Sequence, residues 1–343
     1  MTNRKKIIAA AVISLFVIAS ASSLGSSAIG LRDTVLITLH KIFGISLAQG
    51  IDGRNISIVW LLRLPRVLLA FTAGGCLAIS GAVCQSILQN PLASPYILGV
   101  SSGASLGTGI IIISGITVPL LGSFTLPLAG FVFALAAVFF VTFFSSRIDR
   151  SMSNNTIILC GMVLSLFLNA LLTMLSAVFS DDLRRIVMWQ MGSFAMRGWT
   201  YIKLLMPFFV IGTAGILFYT KEMDILSFGD EHAKSAGVQT DSLRKKLLGF
   251  CAILTGAAVA LSGVIGFVDL IAPHAARRIA GSSHKHLIPM SFLLGGSLMV
   301  LTDLIARTVI SPSELPVGAI TALIGAPFFA WVYFRRRPYA RSK

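Results

Sequence analysis

Apolar residues run along the chain in long blocks separated by short polar turns, with none of the sustained two-residue alternation of a half-buried strand. Ten blocks predict helices over about 7–29, 60–88, 95–116, 119–145, 156–179, 200–220, 242–268, 270–281, 287–309 and 316–334. A bilayer span takes about 20 mostly apolar residues, and every block but the eighth approaches that length. The pattern therefore predicts an all-α membrane protein, a polytopic bundle of about ten transmembrane helices forming one membrane domain over 1–343. The longest polar stretches, near 30–57, 180–199 and 221–242, are too short for a soluble domain.

Composition agrees. Of the 343 residues 55% are hydrophobic and only 12% charged, with a mean hydropathy of +0.87. Soluble domains carry about 25% charged residues, so this chain lacks the polar surface to coat a water-facing body. The net charge of +15 does not point to nucleic acid, because the basic residues sit in short loops rather than in one stripe. Eighteen of the 28 fall in the even-numbered loops and the two tails, among them Arg4, Lys5, Lys6, Arg147, Arg150, Arg244, Lys245, Lys246, Arg336, Arg337, Arg341 and Lys343. The positive-inside rule then places both termini in the cytoplasm and leaves ten basic residues on the outer side. Arg4-Lys5-Lys6 followed by an apolar run resembles a secretory signal, but the run continues in small residues to Ile29, which favours a retained first span.

Small residues recur within the spans, as at Gly74-Gly75, Ala78 and Gly81-Ala82, or Gly256, Ala260 and Gly263. They let helix backbones approach closely in lipid. Cys76, Cys84, Cys160 and Cys251 all lie in apolar runs without a CxxC pair or a nearby histidine, so they read as small core residues and no metal site is expected. His284-Lys285-His286 reads as a solvated basic loop.

No phosphate-binding loop or hydrolase motif is present. The glycine-rich run Gly99 to Gly107 lacks a lysine and lies within an apolar block. If ATP powers this protein, another chain hydrolyses it. Two acids fall inside apolar blocks, where ionisable groups are costly. Asp303 stands four residues before Arg307 and shares its helix face, whereas Asp269 has no evident partner. In the longest inner loop Gly229 permits a turn, Asp230 and Glu231 suit a helix start, and Gly237 a stop. A short charged helix there suits docking to a cytoplasmic partner, or serves as a solvated connector.

Several motifs in order carry a resemblance over nearly the whole chain. They are Arg63-Leu64-Pro65-Arg66, Ser80-Gly81-Ala82, Asn90-Pro91-Leu92-Ala93-Ser94-Pro95, Leu98 to Ala104, Gly229-Asp230-Glu231, Gly266-Phe267-Val268 with Pro273-His274, and Glu314-Leu315-Pro316-Val317-Gly318. Together they resemble the permease subunits of type II ATP-binding-cassette importers for iron–siderophore complexes, haem and vitamin B12. The resemblance implies a ten-span permease in the cytoplasmic membrane and a second permease subunit, identical or paralogous. It also implies two ATPase subunits, which bind the ATP so that this chain needs no cofactor, and an extracytoplasmic binding protein. Arg63, Arg66 and Arg307 match family arginines that accept acidic residues of the binding protein. Gly229, Asp230, Glu231, Ala233 and Gly237 match the helix that couples to the ATPase, and Met188 to Phe194 resembles a short outer helix. Asp269 and Ala236 depart from the family, which usually has a small residue and a leucine there.

The expected function is translocation of an iron–siderophore or related metal chelate by alternating access, with vitamin B12 or haem as the alternative cargo. A secondary carrier would need more intramembrane carboxylates than Asp269 and Asp303, and a membrane enzyme would need converging groups that the scattered histidines do not offer.

Overall fold

The computed structural model describes residues 2–25, 29–45, 51–149 and 151–335. Residues 26–28 of the first apolar block lie outside the described residues, as do Arg150, Arg336, Arg337, Arg341 and Lys343 of the orientation argument. The helices are α1 (Asn3–Ser23), α2 (Leu31–Phe43), α3 (Gly53–Ser57), α4 (Leu64–Ile87), α5 (Val100–Ser114), α6 (Thr125–Ile148), α7 (Asn154–Val178), α8 (Leu183–Gln190), α9 (Trp199–Phe218), α10 (Thr220–Leu226), α11 (Asp230–Ser235), α12 (Thr240–Ser262), α13 (Val268–Ala280), α14 (His284–Thr308) and α15 (Val317–Arg335). The protein is all-helical and polytopic, and each of the ten predicted blocks contains a helix.

Among the described residues seven helical runs are long and apolar enough to cross a bilayer alone. The blocks containing α5, α13 and α15 supply shorter helices, of 15, 13 and 19 residues. At 1.5 Å rise per residue, α5 spans only about 22 Å, short of a hydrocarbon core of about 30 Å. Its approach is made instead by the turn Pro95–Leu98 and left-handed Gly99.

Two stretches taken as polar connections are structured. Residues 31–43 form α2, which packs Ile37 with Ile29 and Val59 in a satellite cluster. The short outer helix suggested by Met188 to Phe194 lies earlier, at α8, and ends at Gln190. Gly192 (φ +74°) turns the chain there, and Gly192 and Met191 accept the amides of Val317 and Gly318, so this turn is pinned beneath the start of α15.

Helix α4 is the hub. A π-helical turn, Ile58–Arg63, leads from α3 into α4, and Gly53–Ile87 is one continuous 35-residue rod, exposed over its first turns but almost wholly buried along α4. A helix that is apolar on all sides belongs in a core. Its glycines admit α14, whose backbone runs antiparallel to it. A Cβ on Gly295 would fall 2.7 Å from the Gly74 carbonyl oxygen, and one on Gly296 would fall 2.7 Å from the Phe71 carbonyl oxygen. Helix α13 crosses α4 at Gly81, against the Asp269 backbone. Helices α7 and α9 lie at the periphery with most of their surface exposed, offering Leu159, Val163, Leu166, Val210 and Ile211 to the surroundings. Cys76, Cys84 and Cys251 are buried in the core, and Cys160 is half-buried.

Candidate functional site

At the end of the bundle where α4 begins and α14 finishes, the structure brings Arg63, Arg66 and Arg307 together. Burying three guanidinium groups demands partners, and the chain supplies them. Arg66 is the centre. Its Nε and Nη2 donate to the Asp303 carboxylate at 3.1 and 2.9 Å, and its Nη1 and Nη2 donate to Glu314 at 2.7 and 2.8 Å. Arg63 donates to the Ser23 carbonyl at 2.5 Å, and Arg307 donates to the Ala21 carbonyl at 2.6 Å, both at the end of α1. The Asp303–Arg307 pair expected from four-residue spacing forms at 3.7 Å, but the tighter partner of Asp303 comes from α4. Five charged groups thus share the site with a net charge of +1. The Arg66 fork holds the Glu314 carboxyl below the ordinary carboxylate range.

At the opposite end, where α4 finishes and α14 begins, sits the predicted coupling loop. Gly229 adopts φ +110°, a conformation that excludes other residues, and it opens the six-residue α11. Gly237, at φ +85°, closes the turn, with its amide on the Lys234 carbonyl and that of Val238 on Ala233. Ala233 is fully buried and anchors the helix in the core, while Glu231 is exposed. Asp230 is committed inward. Its two oxygens accept from Nη1 and Nη2 of Arg244 at 2.8 and 2.6 Å, and the Arg244 side chain is completely buried at the start of α12. Arg244 also reaches the Ile87 carbonyl at the end of α4, at 3.4 Å.

A second network holds α10, the helix just before this loop. The Asp224 carboxylate accepts the His284 amide at 2.8 Å and pairs with His284 Nδ1 at 2.5 Å, while Nε2 meets Ser86 Oγ on α4 at 2.7 Å. Gln89 donates to the Leu226 carbonyl at 3.2 Å. Partial burial pushes the Asp224 carboxyl up, but the His284 hydrogen bonds more than offset it, so the group rests below its ordinary value. This corrects the reading of His284 as a solvated loop residue. It is 2% exposed, because a histidine opening a long helix beside an aspartate is worth more bonded than hydrated. Asp269 is likewise buried, in the first turn of α13, and accepts from Ser94 through Oδ2.

Sequence reasoning missed Arg244, Asp224, Glu314 and the role of His284. Arg244 opens the run Arg244-Lys245-Lys246 and looked like one more cytoplasmic cation. The only signal was its register, four residues before Leu248 on the buried face of α12.

The structure thus presents a multi-pass membrane bundle with a partly exposed helix at one end and a recessed cationic cluster at the other. The comparisons specify which kind. The chain belongs to the FecCD transport family, whose model matches residues 7–335. It is 43% identical over 320 residues to the uncharacterized ABC transporter permease protein YvrB of Bacillus subtilis, covering 93% of this chain and 90% of that one. It is 37% identical over 285 residues to the hemin transport system permease protein HmuU of Yersinia pestis, covering 81% and 84%. A solved structure described as an inward-facing conformation of a provisionally assigned metal-chelate type ABC transporter matches with a TM-score of 0.84 at 30% identity, over 97% of this chain and 99% of that one. The protein is therefore a permease subunit of the ATP-binding-cassette importer class.

Proposed function

We propose that this permease carries a metal chelate, an iron–siderophore complex in the first instance, from the extracytoplasmic side into the cytoplasm. Its termini and the Gly229–Gly237 loop face the cytoplasm. A second permease chain stands beside it, ATPase subunits bind ATP and seat against α11, and a binding protein docks at the Arg66 end. The observation that carries this reading is the antiparallel α4–α14 pair. One end of it holds the Arg63, Arg66 and Arg307 cluster, and the other holds Arg244, Asp224 and His284 around the coupling loop. With 25 residues, α14 is about 37 Å long, so a single helix connects the two surfaces.

The cargo assignment draws on relatives named as iron(III)-citrate and iron(III) dicitrate permeases and on a neighbour of metal-chelate type. Other relatives are named as permeases for cobalamin and hemin, which makes cobalamin and haem the competing cargoes. Specificity in this scheme belongs to the binding protein, because a permease path that held the cargo tightly would not release it.

The test is purification of the tagged chain from native membranes with every co-purifying chain identified. The recovered binding protein is then titrated with a ferric hydroxamate, haem and cobalamin, and ATP-driven uptake of each is measured in proteoliposomes. Uptake of the ferric chelate alone supports the proposal. Uptake of only haem or cobalamin replaces the cargo, and ATP-independent uptake by this chain alone refutes the scheme.

A further inference from the structure

The two carboxylates on Arg66 differ. Asp303 grows from α14, is 1% exposed, and takes the Nε–Nη2 edge of the guanidinium. Glu314 sits on the loop that follows α14, its side chain is 35% exposed, and it takes the outer Nη1–Nη2 edge. Beyond Glu314 the loop is tied back to α14, where the Leu315 amide donates to the Ala306 carbonyl at 2.8 Å. Asp303 is therefore a fixed orienting group. Glu314 is one carboxylate, on an exposed segment, occupying the edge of the guanidinium that faces outward.

We propose that Glu314 fills, in the free permease, the Arg66 fork that an acidic side chain of the docking protein takes in the complex. This rests on the reading of the arginine cluster as the docking site. Docking is then an exchange of one bidentate carboxylate for another. Asp303 keeps the guanidinium aimed throughout, and Arg66 is never left buried with an empty edge. Recognition demands planar bidentate geometry, which is why an arginine serves where lysine does not. Arg66 is only 11% exposed, so the visiting group is recessed below the surface, and glutamate, with its longer stem, fits better than aspartate. Exchange also has a kinetic use. The internal competitor cancels most of the gain from the new ion pair, so complementary charge sets orientation and encounter rate without preventing release after each cycle.

The experiment uses the full complex in nanodiscs and the solute-binding protein recovered with it, with association and dissociation rates measured against salt. Glu314→Gln removes the charged competitor and raises the local charge by one. Docking should tighten about tenfold, as a charge-assisted fork is roughly twice as strong as a neutral one. Most of the change should fall in the dissociation rate, with a steeper salt dependence. Arg66→Lys keeps the charge, and so spares Asp303 a lonely burial, but loses the fork and should weaken docking. Unchanged docking in Glu314→Gln alongside weakened docking in Arg66→Lys would sink the exchange and leave the docking site standing. Unchanged docking in both would sink the docking site itself. Weakening in Glu314→Gln would make Glu314 a positioning residue for Arg66 and overturn the proposal.

Discussion

The Arg244–Asp230 pair allows an asymmetric prediction. A change at either partner breaks the same ion pair, but the survivors differ. Asp230→Asn removes the negative charge and one of the two acceptors, leaving a guanidinium that is 0% exposed held by a neutral amide oxygen and the distant Ile87 carbonyl at 3.4 Å. An uncompensated buried charge of this kind costs about 3–5 kcal/mol. Arg244→Met leaves Asp230, which is 33% exposed and turns to water, so only the charge-assisted bonds are lost, at about 1.5–3 kcal/mol. Asp230→Asn should therefore be the more damaging change by about 1–2 kcal/mol. The double variant should be more stable than Asp230→Asn alone, since it removes the stranded charge. Thermal unfolding of the purified permease in one detergent, read by intrinsic tryptophan fluorescence, ranks all three. If Asp230→Asn proves no worse than Arg244→Met, the guanidinium is hydrated or partnered elsewhere and the anchoring of α11 is wrong.

Two further outcomes follow from the same end of the bundle. Glu231 is exposed, so Glu231→Arg should leave the melting temperature unchanged while ATPase subunits are lost on purification; a fully assembled, transporting complex would remove its coupling role. The Asp224 carboxyl is depressed in the folded state below 3.8, so its contribution is fully present above that value and is lost as pH falls through the folded pKa. The melting-temperature gap between wild type and Asp224→Asn should thus hold near neutral pH and shrink as the pH falls below the ordinary carboxylate range; a gap independent of pH would break the assignment to the His284 bond.

The bundle was legible because lipid imposes block length, a first-order feature of the sequence. The apolar blocks, the α11 loop with its two glycines, and the Asp303–Arg307 spacing all came through, since each depends on neighbours close in sequence. What did not come through depends on partners far apart. Arg66 meets Asp303 across 237 positions, and His284 meets Ser86 across 198; no local pattern announces either. Helix α2 was hidden because its stripe of Thr34 and Ile37 covers only a small satellite core. Arg63, Arg66 and Arg307 looked like exceptions to the orientation rule, and their burial explains them in part. Each is hydrogen-bonded within the protein, and Asp303 and Glu314 reduce the charge of the cluster from +3 to +1.

The two ends of the α4–α14 pair share their geometry because the middle is locked at backbone level, which makes Gly295 the position to perturb. A side chain there meets the Gly74 carbonyl oxygen at 2.7 Å and the Ala78 Cβ closer still, and neither can swing away as a flexible side chain would. Gly295→Leu gains about 1 kcal/mol of helix propensity but incurs overpacking of about 1–3 kcal/mol or more, and contact with backbone places it at the upper end. The relief open to it is to spread the rods. Spreading changes the Arg66–Asp303 fork at one end and the Ser86–His284–Asp224 chain at the other in a single step. Gly249 supplies the control, since a Cβ there meets nothing within 4 Å. Gly295→Leu should lower the melting temperature and lose both docking and transport per ATP, while Gly249→Leu keeps all three. Wild-type stability in Gly295→Leu would show a pliable interface, and α14 could not then be the rigid connection between the two surfaces. Lost stability with docking intact would confine the damage to the coupling end, and the two ends would have to be joined by another helix.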